Sequence, residues 1–323
     1  MTTGTASQIT DCRLQIKGMR YMKQVILILL IIMCACQAFA ADPGSAAVPF
    51  LRISPGARPA GLGESFVAVA NDANATYWNP SGLANLEGSH FSFMHMLVWE
   101  DMIYDYLTMA SSIDENSCFG VNIIMLNSGA IAVTGEDESG FYRADSDAGS
   151  YSYNSMAVAL SYGMKIDESF SYGISAKIIN DRIADESAQT LALDLGMKYL
   201  LGEYISAGLC LQNAGPAIKN ESLPLTARAG LAYLNESATV AFEGDYYLDS
   251  GIVKLGIGAE YYIGDTFAPR IGYKFQLPST DNALSGLTLG AGFRMEGYQI
   301  DYAYCPSPVL GVSHRISVTI KLK

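Results

Sequence analysis

The sequence predicts an all-β protein: a transmembrane antiparallel β-barrel of about 14 strands, preceded by a short plug segment that contains a small helix. Three observations predict this fold. Only 16% of the 323 residues are charged, too few for a disordered chain or an ordinary soluble surface. After residue 41, no apolar run approaches the ~20 residues that a membrane-spanning helix needs. Segments of about ten residues instead alternate between apolar and polar side chains, which is the pattern of a transmembrane barrel.

Residues 1–40 are predicted to be a leader that contains a signal peptide. Lys23 precedes the one long apolar run, 25–35, and Ala-Phe-Ala follows it at 38–40. A basic start, a short apolar core and an A-x-A site together indicate cleavage after residue 40. The alternatives are an uncleaved anchor and a lipoprotein modified at Cys36, whose preceding residues make a poor lipobox.

Residues 41–88 do not alternate, and they are predicted to form a plug, or hatch, inside the barrel. The segment is rich in proline, glycine and asparagine, which favour turns, and 61–70 is a candidate short helix. Pro80 disfavours a helical Asn79, and Gly82 permits a positive φ. The Asn79 side chain is expected to cap backbone groups that water cannot reach, with an ordinary surface turn as the alternative. The plug, gate and apolar ligand path are predicted to use Phe66, Val67, Val69, Tyr77, Trp78, Asn79, Pro80 and Gly82.

Residues 89–323 are predicted to form the barrel. Between 155 and 166, even-numbered residues are large and apolar, whereas odd-numbered residues are small or polar. The same alternation recurs at 191–199, 253–261 and 315–322. Fourteen or fifteen strands fit, and an even number is favoured for a single-chain bacterial barrel. The extra candidate, 130–134, is either a strand of its own or a continuation of the preceding strand past a bulge.

Charged residues fall on the predicted inward face, and short turns predict how they pair. The turns are a two-residue turn at 235–236, a two-residue turn at 249–250 and a three-residue turn at 264–266. They place opposite charges directly across neighbouring strands: Arg228 and Glu243, Asp245 and Lys254, and Glu260 and Arg270. Such pairs stabilise a sheet by ~0.2–1 kcal/mol each at exposed positions. We interpret them as ion pairs that stiffen the lumen wall, with a charged ligand site in the lumen as the alternative.

No catalytic, cofactor, metal or nucleic-acid site is predicted. A formal net charge of −12 without a basic cluster disfavours nucleic acid, because phosphate contacts need lysine and arginine. The cysteines beyond the leader are odd in number and widely separated, which argues against a disulfide framework or a zinc site. An acidic stretch at 136–138 could bind calcium, but a solvated loop is the preferred interpretation. No Ser/His/Asp set falls on one face, so the protein is not expected to be an enzyme.

Several motifs resemble the PorV/PorQ family, within the wider group of FadL-like barrels. Four stretches of this chain resemble the N-terminal signature of that family. They are Gly-Ala-Arg at 56–58, Gly-Leu-Gly at 61–63, the stretch 66–72 and Trp-Asn-Pro-Ser-Gly-Leu-Ala at 78–84. The family form reads roughly YWNPAGLA, so this chain has Ser81 in place of alanine. Later segments also fit, at 181–188, 285–288, 299–304 and 314–317, and the resemblance covers essentially the whole mature chain.

The resemblance implies an outer-membrane barrel whose N-terminus lies in the lumen. FadL-like relatives pass hydrophobic molecules through a lateral opening beside the plug, and PorV-like relatives receive the C-terminal signal domains of exported proteins in type IX secretion. The sequence is therefore interpreted as a channel for hydrophobic small molecules, with a secretion component as the alternative and a purely structural barrel as a third hypothesis. Expected partners are outer-membrane lipid, the barrel-assembly machinery and either a hydrophobic ligand or those signal domains. Such barrels often end in an aromatic residue, whereas this chain ends Leu322-Lys323.

Overall fold

The computed structural model describes residues 47–97, 102–136, 142–144, 149–277, 286–307 and 311–322. The predicted leader, the first residues of the predicted plug, most of the acidic stretch and the terminal lysine lie outside these ranges. Within them, no helix has the length and apolar character needed to cross a membrane.

Fourteen antiparallel strands of the described chain close into one barrel, which confirms the predicted fold class. Each barrel strand forms hydrogen bonds with the barrel strands that come before and after it in the sequence. The first strand pairs with the last, which closes the barrel. The barrel strands are β1 (Ser89–Leu97), β2 (Ile103–Ser112), β3 (Ser117–Asn127), β8 (Tyr153–Lys165), β9 (Phe170–Ile183), β10 (Glu186–Leu201), β11 (Ile205–Ala214), β12 (Thr226–Leu234), β13 (Ala238–Tyr247), β14 (Ile252–Tyr261), β15 (Phe267–Leu277), β16 (Leu287–Met295), β17 (Tyr298–Ser307) and β18 (Gly311–Leu322).

Four short strands between β3 and β8 form a ribbon outside the barrel sheet. They are β4 (Ile131–Ala132), β5 (Thr134–Glu136), β6 (Tyr142–Ala144) and β7 (Ser150–Tyr151), paired as β4 with β7 and β5 with β6. Asn127 pairs with Asn154 and Ile131 pairs with Tyr151, so three residues of one arm oppose two of the other. The predicted continuation of β3 past a bulge is therefore confirmed, and the alternative of a separate barrel strand at 130–134 is wrong. Gly129 lies in this bulge with a φ of 67°, and its N–H donates to the Asn127 side chain at 2.7 Å.

Side chains alternate along the barrel strands as the sequence predicts. On β8, Met156 and Leu160 are 42% and 52% exposed, whereas Ala157 and Ala159 are buried. Among the described residues, most of the exposed large apolar side chains lie on the outward face of the barrel strands. This apolar outer face suits acyl chains, and the inward face carries the polar side chains.

The two ends of the barrel differ in the length of their connections. Short turns at 113–116, 166–169, 202–204, 235–237, 262–266 and 296–297 lie at one end, here called the turn end. The longest connections, 128–152 and 215–225, lie at the opposite end, here called the loop end. In outer-membrane barrels short turns are periplasmic and long loops are extracellular.

An irregular segment, residues 47–86, lies inside the barrel and is called the inner segment below. It begins at the loop end, where the Ala47 N–H donates to the Ser222 carbonyl at 3.0 Å, and it leads into β1 at the turn end. Its helices are the 3₁₀ helix Pro49–Arg52, the α-helices Ala57–Gly61 and Ala75–Trp78, and the 3₁₀ helix Pro80–Asn85.

The predicted helix at 61–70 is wrong, because the first α-helix ends where that helix was expected to begin. Gly63 and Glu64 both have positive φ values, of 63° and 60°, and this left-handed backbone reverses the chain. Residues 66–70 then form a turn closed by the Ala70 N–H on the Phe66 carbonyl at 2.8 Å.

Candidate functional site

The inner segment touches the barrel wall backbone to backbone, because the wall positions that face it are glycine. A Cβ at Gly173 would overlap the backbone of Pro80 and Ser81, and a Cβ at Gly208 would overlap that of Val67. Wall glycines also lie beneath other parts of the segment, at Gly163, Gly196, Gly256, Gly258 and Gly272. The wall and the inner segment therefore fit each other only while these positions lack side chains.

Asn79 joins distant parts of the structure through its side chain. Its amide Nδ2 donates to the Val67 carbonyl at 2.9 Å and to the Met197 carbonyl on β10 at 3.1 Å. Its Oδ1 accepts from the Ser81 N–H at 3.2 Å and from the Ser81 hydroxyl at 2.6 Å. The backbone of Asn79 is extended, as expected for a residue before Pro80. The side chain thus serves backbone groups inside a buried region.

Gly82 is needed for a different reason from the one the sequence indicates. The predicted positive φ is wrong, since Gly82 is not among the positive-φ glycines of the described residues. A Cβ at Gly82 would instead overlap the carbonyl oxygen of Ala70. The glycine allows two stretches of the inner segment to pack in direct contact. From the sequence alone, a glycine required for such close packing looks the same as a glycine required for a turn.

Arg58 links the inner segment to the wall through two carboxylates. Its Nε and Nη2 donate to the two oxygens of Glu260 on β14 at 3.0 and 2.8 Å. Its Nη1 donates to Asp72, within the inner segment, at 2.8 Å. Burial disfavours the charged form of Asp72, but the neighbouring guanidinium outweighs it and holds the pKa of Asp72 below its usual range. Bidentate arginine–carboxylate geometry fixes both the position and the direction of the arginine.

Further ion pairs extend from Glu260 along the wall and, together with Arg58 and Asp72, form a series called the charge chain below. Glu260 lies directly opposite Arg270, as the three-residue turn indicates, and Arg270 Nε donates to Glu260 at 2.6 Å. Arg270 Nη1 donates to Asp301 on β17 at 2.7 Å. Alternating charges therefore run from Asp72 through Arg58 to β14, β15 and β17, and all five side chains are buried.

The predicted register for Arg228 is wrong by two residues. Arg228 lies opposite Asp245, and Glu243 lies opposite Gly230. The Asn235 side chain accepts from the N–H groups of residues 237 and 238, at 3.0 and 2.6 Å, which moves the turn forward by one residue. A one-residue shift in the turn moves the pairing by two, so the inward face is kept.

Arg228 still reaches both carboxylates. Its Nη1 lies 3.3 Å from Glu243 and 3.2 Å from Asp245. Glu243 also accepts from the backbone N–H groups of Phe66 and Val67, at 2.5 and 2.6 Å, so this wall carboxylate holds the inner segment. Asp245 lies opposite Lys254 in the register. The Lys254 ammonium lies 4.9 Å from the centre of the Tyr247 ring.

The residues predicted to line an apolar path are packed against each other. Phe66, Val67, Val69, Tyr77 and Trp78 are each at most 2% exposed. The Trp78 ring meets those of Phe66 and Tyr77 edge to face, with centroids 5.9 and 5.6 Å apart. The Tyr77 hydroxyl and the Trp78 indole N–H both donate to carbonyls of the inner segment, at 3.1 and 3.0 Å. These side chains form the core of the inner segment.

Sequence reasoning missed several wall contacts. Glu64 accepts from Lys274 Nζ at 2.7 Å and from Arg315 Nη2 at 3.5 Å. Burial opposes ionisation of Glu64, but the two cations outweigh it and hold its pKa below the usual range. Lys198 Nζ donates to the Val69 carbonyl at 2.7 Å. The alternation of the strands predicts that these three wall cations face the lumen, but it does not predict which groups of the inner segment they contact.

Potential metal ligands are not gathered into one centre in the described part of the chain. Within the described ranges, no set of three or more His, Cys, Asp or Glu side chains is arranged to hold a metal ion. Cys118, Cys210 and Cys305 are buried thiols without a disulfide. The inner segment fills the lumen, and its contacts with the wall hold it there.

The comparisons agree with this architecture. A family model described as "Type IX secretion system protein PorV" matches residues 42–224. This range includes the inner segment and the barrel strands from β1 to β11. No curated protein matches the chain.

Solved structures of hydrocarbon transporters share the fold. The toluene transporter TodX of Pseudomonas putida is 14% identical with a TM-score of 0.60, and the match covers 87% of this chain and 98% of that chain. The toluene transporter TbuX of Ralstonia pickettii is 14% identical with a TM-score of 0.62, covering 84% and 99%. A FadL homologue of Pseudomonas aeruginosa is 10% identical with a TM-score of 0.57, covering 83% and 98%. At such low identity, the likeness concerns the fold alone.

Proposed function

Because the chain belongs to the PorV family of type IX secretion system proteins, we propose that it serves that pathway as a sealed outer-membrane barrel. In this role it receives the C-terminal signal domains of exported proteins, and it does so at its outer surfaces rather than through its lumen. The family and the FadL-like fold indicate an outer-membrane protein.

The filled lumen is the observation that carries this proposal. The inner segment is held by buried ion pairs at Arg58, by a partly buried pair at Glu64, by Glu243 on two backbone N–H groups and by Asn79 on β10. Removing one partner of a buried ion pair is strongly destabilising. A solute that crossed the lumen would have to break several of these contacts at once, so the barrel is better suited to binding than to conduction.

The loop end offers surfaces for such binding. The β4–β7 ribbon extends beyond the wall between β3 and β8, and the connection 215–225 covers the start of the inner segment. Ile218 and Leu223 of that connection are buried in the same apolar cluster as Val48 and Phe50. The connection is therefore fixed rather than splayed outward, which limits the reordering that partner binding would require.

A channel for hydrophobic small molecules is the second candidate. It is favoured by the fold shared with the toluene transporters TodX and TbuX. In this case Phe66, Val67, Val69, Tyr77 and Trp78 would line the path after a displacement of the inner segment. Asn79, Pro80 and Gly82 would then be the hinge on which that displacement turns.

Deletion of the gene, with complementation by the wild-type chain, separates the two candidates. We expect proteins with the C-terminal signal domain to disappear from the medium and accumulate in the periplasm, while toluene uptake by the same cells stays unchanged. Lost toluene uptake with normal secretion would overturn the secretion role and support the channel. The inner-segment variant Asn79→Ala serves as an added control, because a channel should gain or lose uptake when its hinge is altered.

A further inference from the structure

One side of the barrel carries a cluster of ionisable side chains on its outward face. Among the described strand residues, the outward positions hold four side chains of the Asp, Glu, Lys, Arg or His types. One is Arg182, the penultimate residue of β9 at the loop end. The other three are His95, Asp105 and His314, on the adjacent strands β1, β2 and β18.

These three side chains form hydrogen-bonded pairs on the outer surface. His95 Nδ1 lies 2.7 Å from Asp105 Oδ1, and the two residues are directly opposite in the register. His314 Nδ1 lies 2.7 Å from the Tyr302 hydroxyl, and the ring of Tyr304 meets the His314 ring edge to face at 5.7 Å. The outer-face patch, defined by His95, Asp105, Tyr302, Tyr304 and His314, thus spans the seam where β1 closes against β18.

Acyl chains are an unfavourable neighbour for this patch. Charged side chains on the lipid face destabilise a barrel because lipid cannot solvate them. His95 and Asp105 have 46% and 26% of their side-chain surface exposed, so their mutual contact does not cover them. Neighbouring outward residues on the same strands, such as Phe93 and Val318, are apolar and exposed.

The one-sided position of the patch indicates a protein rather than lipid headgroups. The headgroup layer surrounds the barrel, so contact with it would favour ionisable residues on every strand at that level. At the same distance from the loop end, the outward residues of the opposite wall are instead not ionisable, as at Leu211 on β11, Ala229 on β12 and Gly244 on β13. A partner that covers only β17, β18, β1 and β2 explains why three of the four outward ionisable side chains lie on adjacent strands of that side.

We propose that the partner is a second copy of this chain, docked through the outer-face patch about a two-fold axis along the membrane normal. Such an axis brings the β2 side of one copy against the β17 side of the other. The patch is complementary to itself in that arrangement, because its carboxylate lies on β2 and its tyrosines and second imidazole lie on β17 and β18. Two-fold interfaces of this isologous kind are the commonest in soluble homo-oligomers.

A single cysteine near the proposed axis tests the interface in the intact outer membrane. Ile316, on β18 between the two halves of the patch, is 51% exposed; Leu231, on the opposite wall, is 52% exposed and gives a matched control. We expect oxidation to join two copies of Ile316→Cys but not of Leu231→Cys. Wild-type protein controls for the three buried native thiols. Equal cross-linking of both variants, or a cross-link from Ile316→Cys to a different protein, would overturn the proposal.

Charge reversal provides a second, independent measurement. Asp105→Lys replaces the carboxylate that contacts His95 with an ammonium and should weaken self-association by about tenfold or more, measured as the monomer–dimer equilibrium of the full chain in lipid nanodiscs or bicelles. Asp105→Asn keeps the shape and tests whether the charge is what matters, and heat-modifiable migration on gels shows that each variant folds. A wild-type chain that remains monomeric under these conditions would overturn the proposal.

Discussion

The barrel wall and the inner segment differ in where their conformations come from. Along a strand, alternate residues face opposite sides, so a period of two determines which side chains meet lipid and which meet the lumen. In the inner segment, the backbone conformation depends on wall groups far away in sequence. The Phe66 N–H meets Glu243, and the Val69 carbonyl meets Lys198. The wall forms by local rules, whereas the inner segment takes the shape that the finished wall allows.

The largest effect is expected from breaking the charge chain at Arg58. Arg58→Met leaves the buried Asp72 without its cation, which should weaken docking of the inner segment by ~3–5 kcal/mol. Hydrogen exchange of the amides in 66–78 should then accelerate more than a hundredfold, while the barrel strands stay protected. Arg182→Met, at an exposed arginine of β9, is the matched control. It should change hydrogen exchange neither in the inner segment nor in the barrel strands. Equal acceleration in wall and inner segment would show that the two regions are one cooperative unit.

A wall glycine tests whether the wall shapes the inner segment. Gly173→Ala would force its Cβ into the backbone of Pro80 and Ser81, costing ~1–3 kcal/mol or more as overpacking. At Gly244, a Cβ would meet only the end of the Leu255 side chain at 3.2 Å, so Gly244→Ala should be nearly neutral. Thermal unfolding and exchange at residues 79–84 measure the difference. If both substitutions behave alike, close backbone contact is not what fixes the inner segment.

Asn79 is expected to give a smaller, local effect. Asn79→Ala leaves the carbonyls of Val67 and Met197 without this donor, and an unsatisfied buried group costs ~1–3 kcal/mol. Protection of the amides against hydrogen exchange should fall both around Val67 and around Ser81, since the Asn79 side chain joins these two parts of the inner segment. Asn154→Ala, on β8, should leave protection of the inner segment unchanged. A loss confined to 79–84 would contradict the bridging role.

Acid should produce the smallest effect. The pKa of Asp72 is lowered in the folded protein, so its contribution is fully present above the ordinary carboxyl pKa of ~4 and is lost as the pH falls through the lower folded value. Emission from Trp78, measured with Trp99 replaced by phenylalanine, should be constant from pH 7 to 5 and shift only below about pH 4. Asp72→Asn should remove that shift. A shift already complete at pH 5 would show that another group controls docking.

Most features of the wall could be predicted from the sequence, whereas the conformation of the inner segment could not. Alternation determined the faces of β8, and turn lengths placed Glu260 opposite Arg270, because both depend on local geometry. The register of Arg228 failed because the Asn235 side chain moved the turn by one residue. The expected helix at 61–70 and the expected φ of Gly82 failed because packing against distant backbone, rather than local propensity, decides conformation inside the lumen.

Ion conductance across planar bilayers tests the central claim, that the inner segment is fixed in the lumen and seals the barrel. Deleting residues 44–72 removes most of that segment and leaves every strand of the barrel intact. The wild-type chain should be silent, and the deletion variant should conduct, with heat-modifiable migration confirming that the variant still forms a barrel. A wild-type chain that conducts, or a folded deletion variant that stays silent, would contradict the claim.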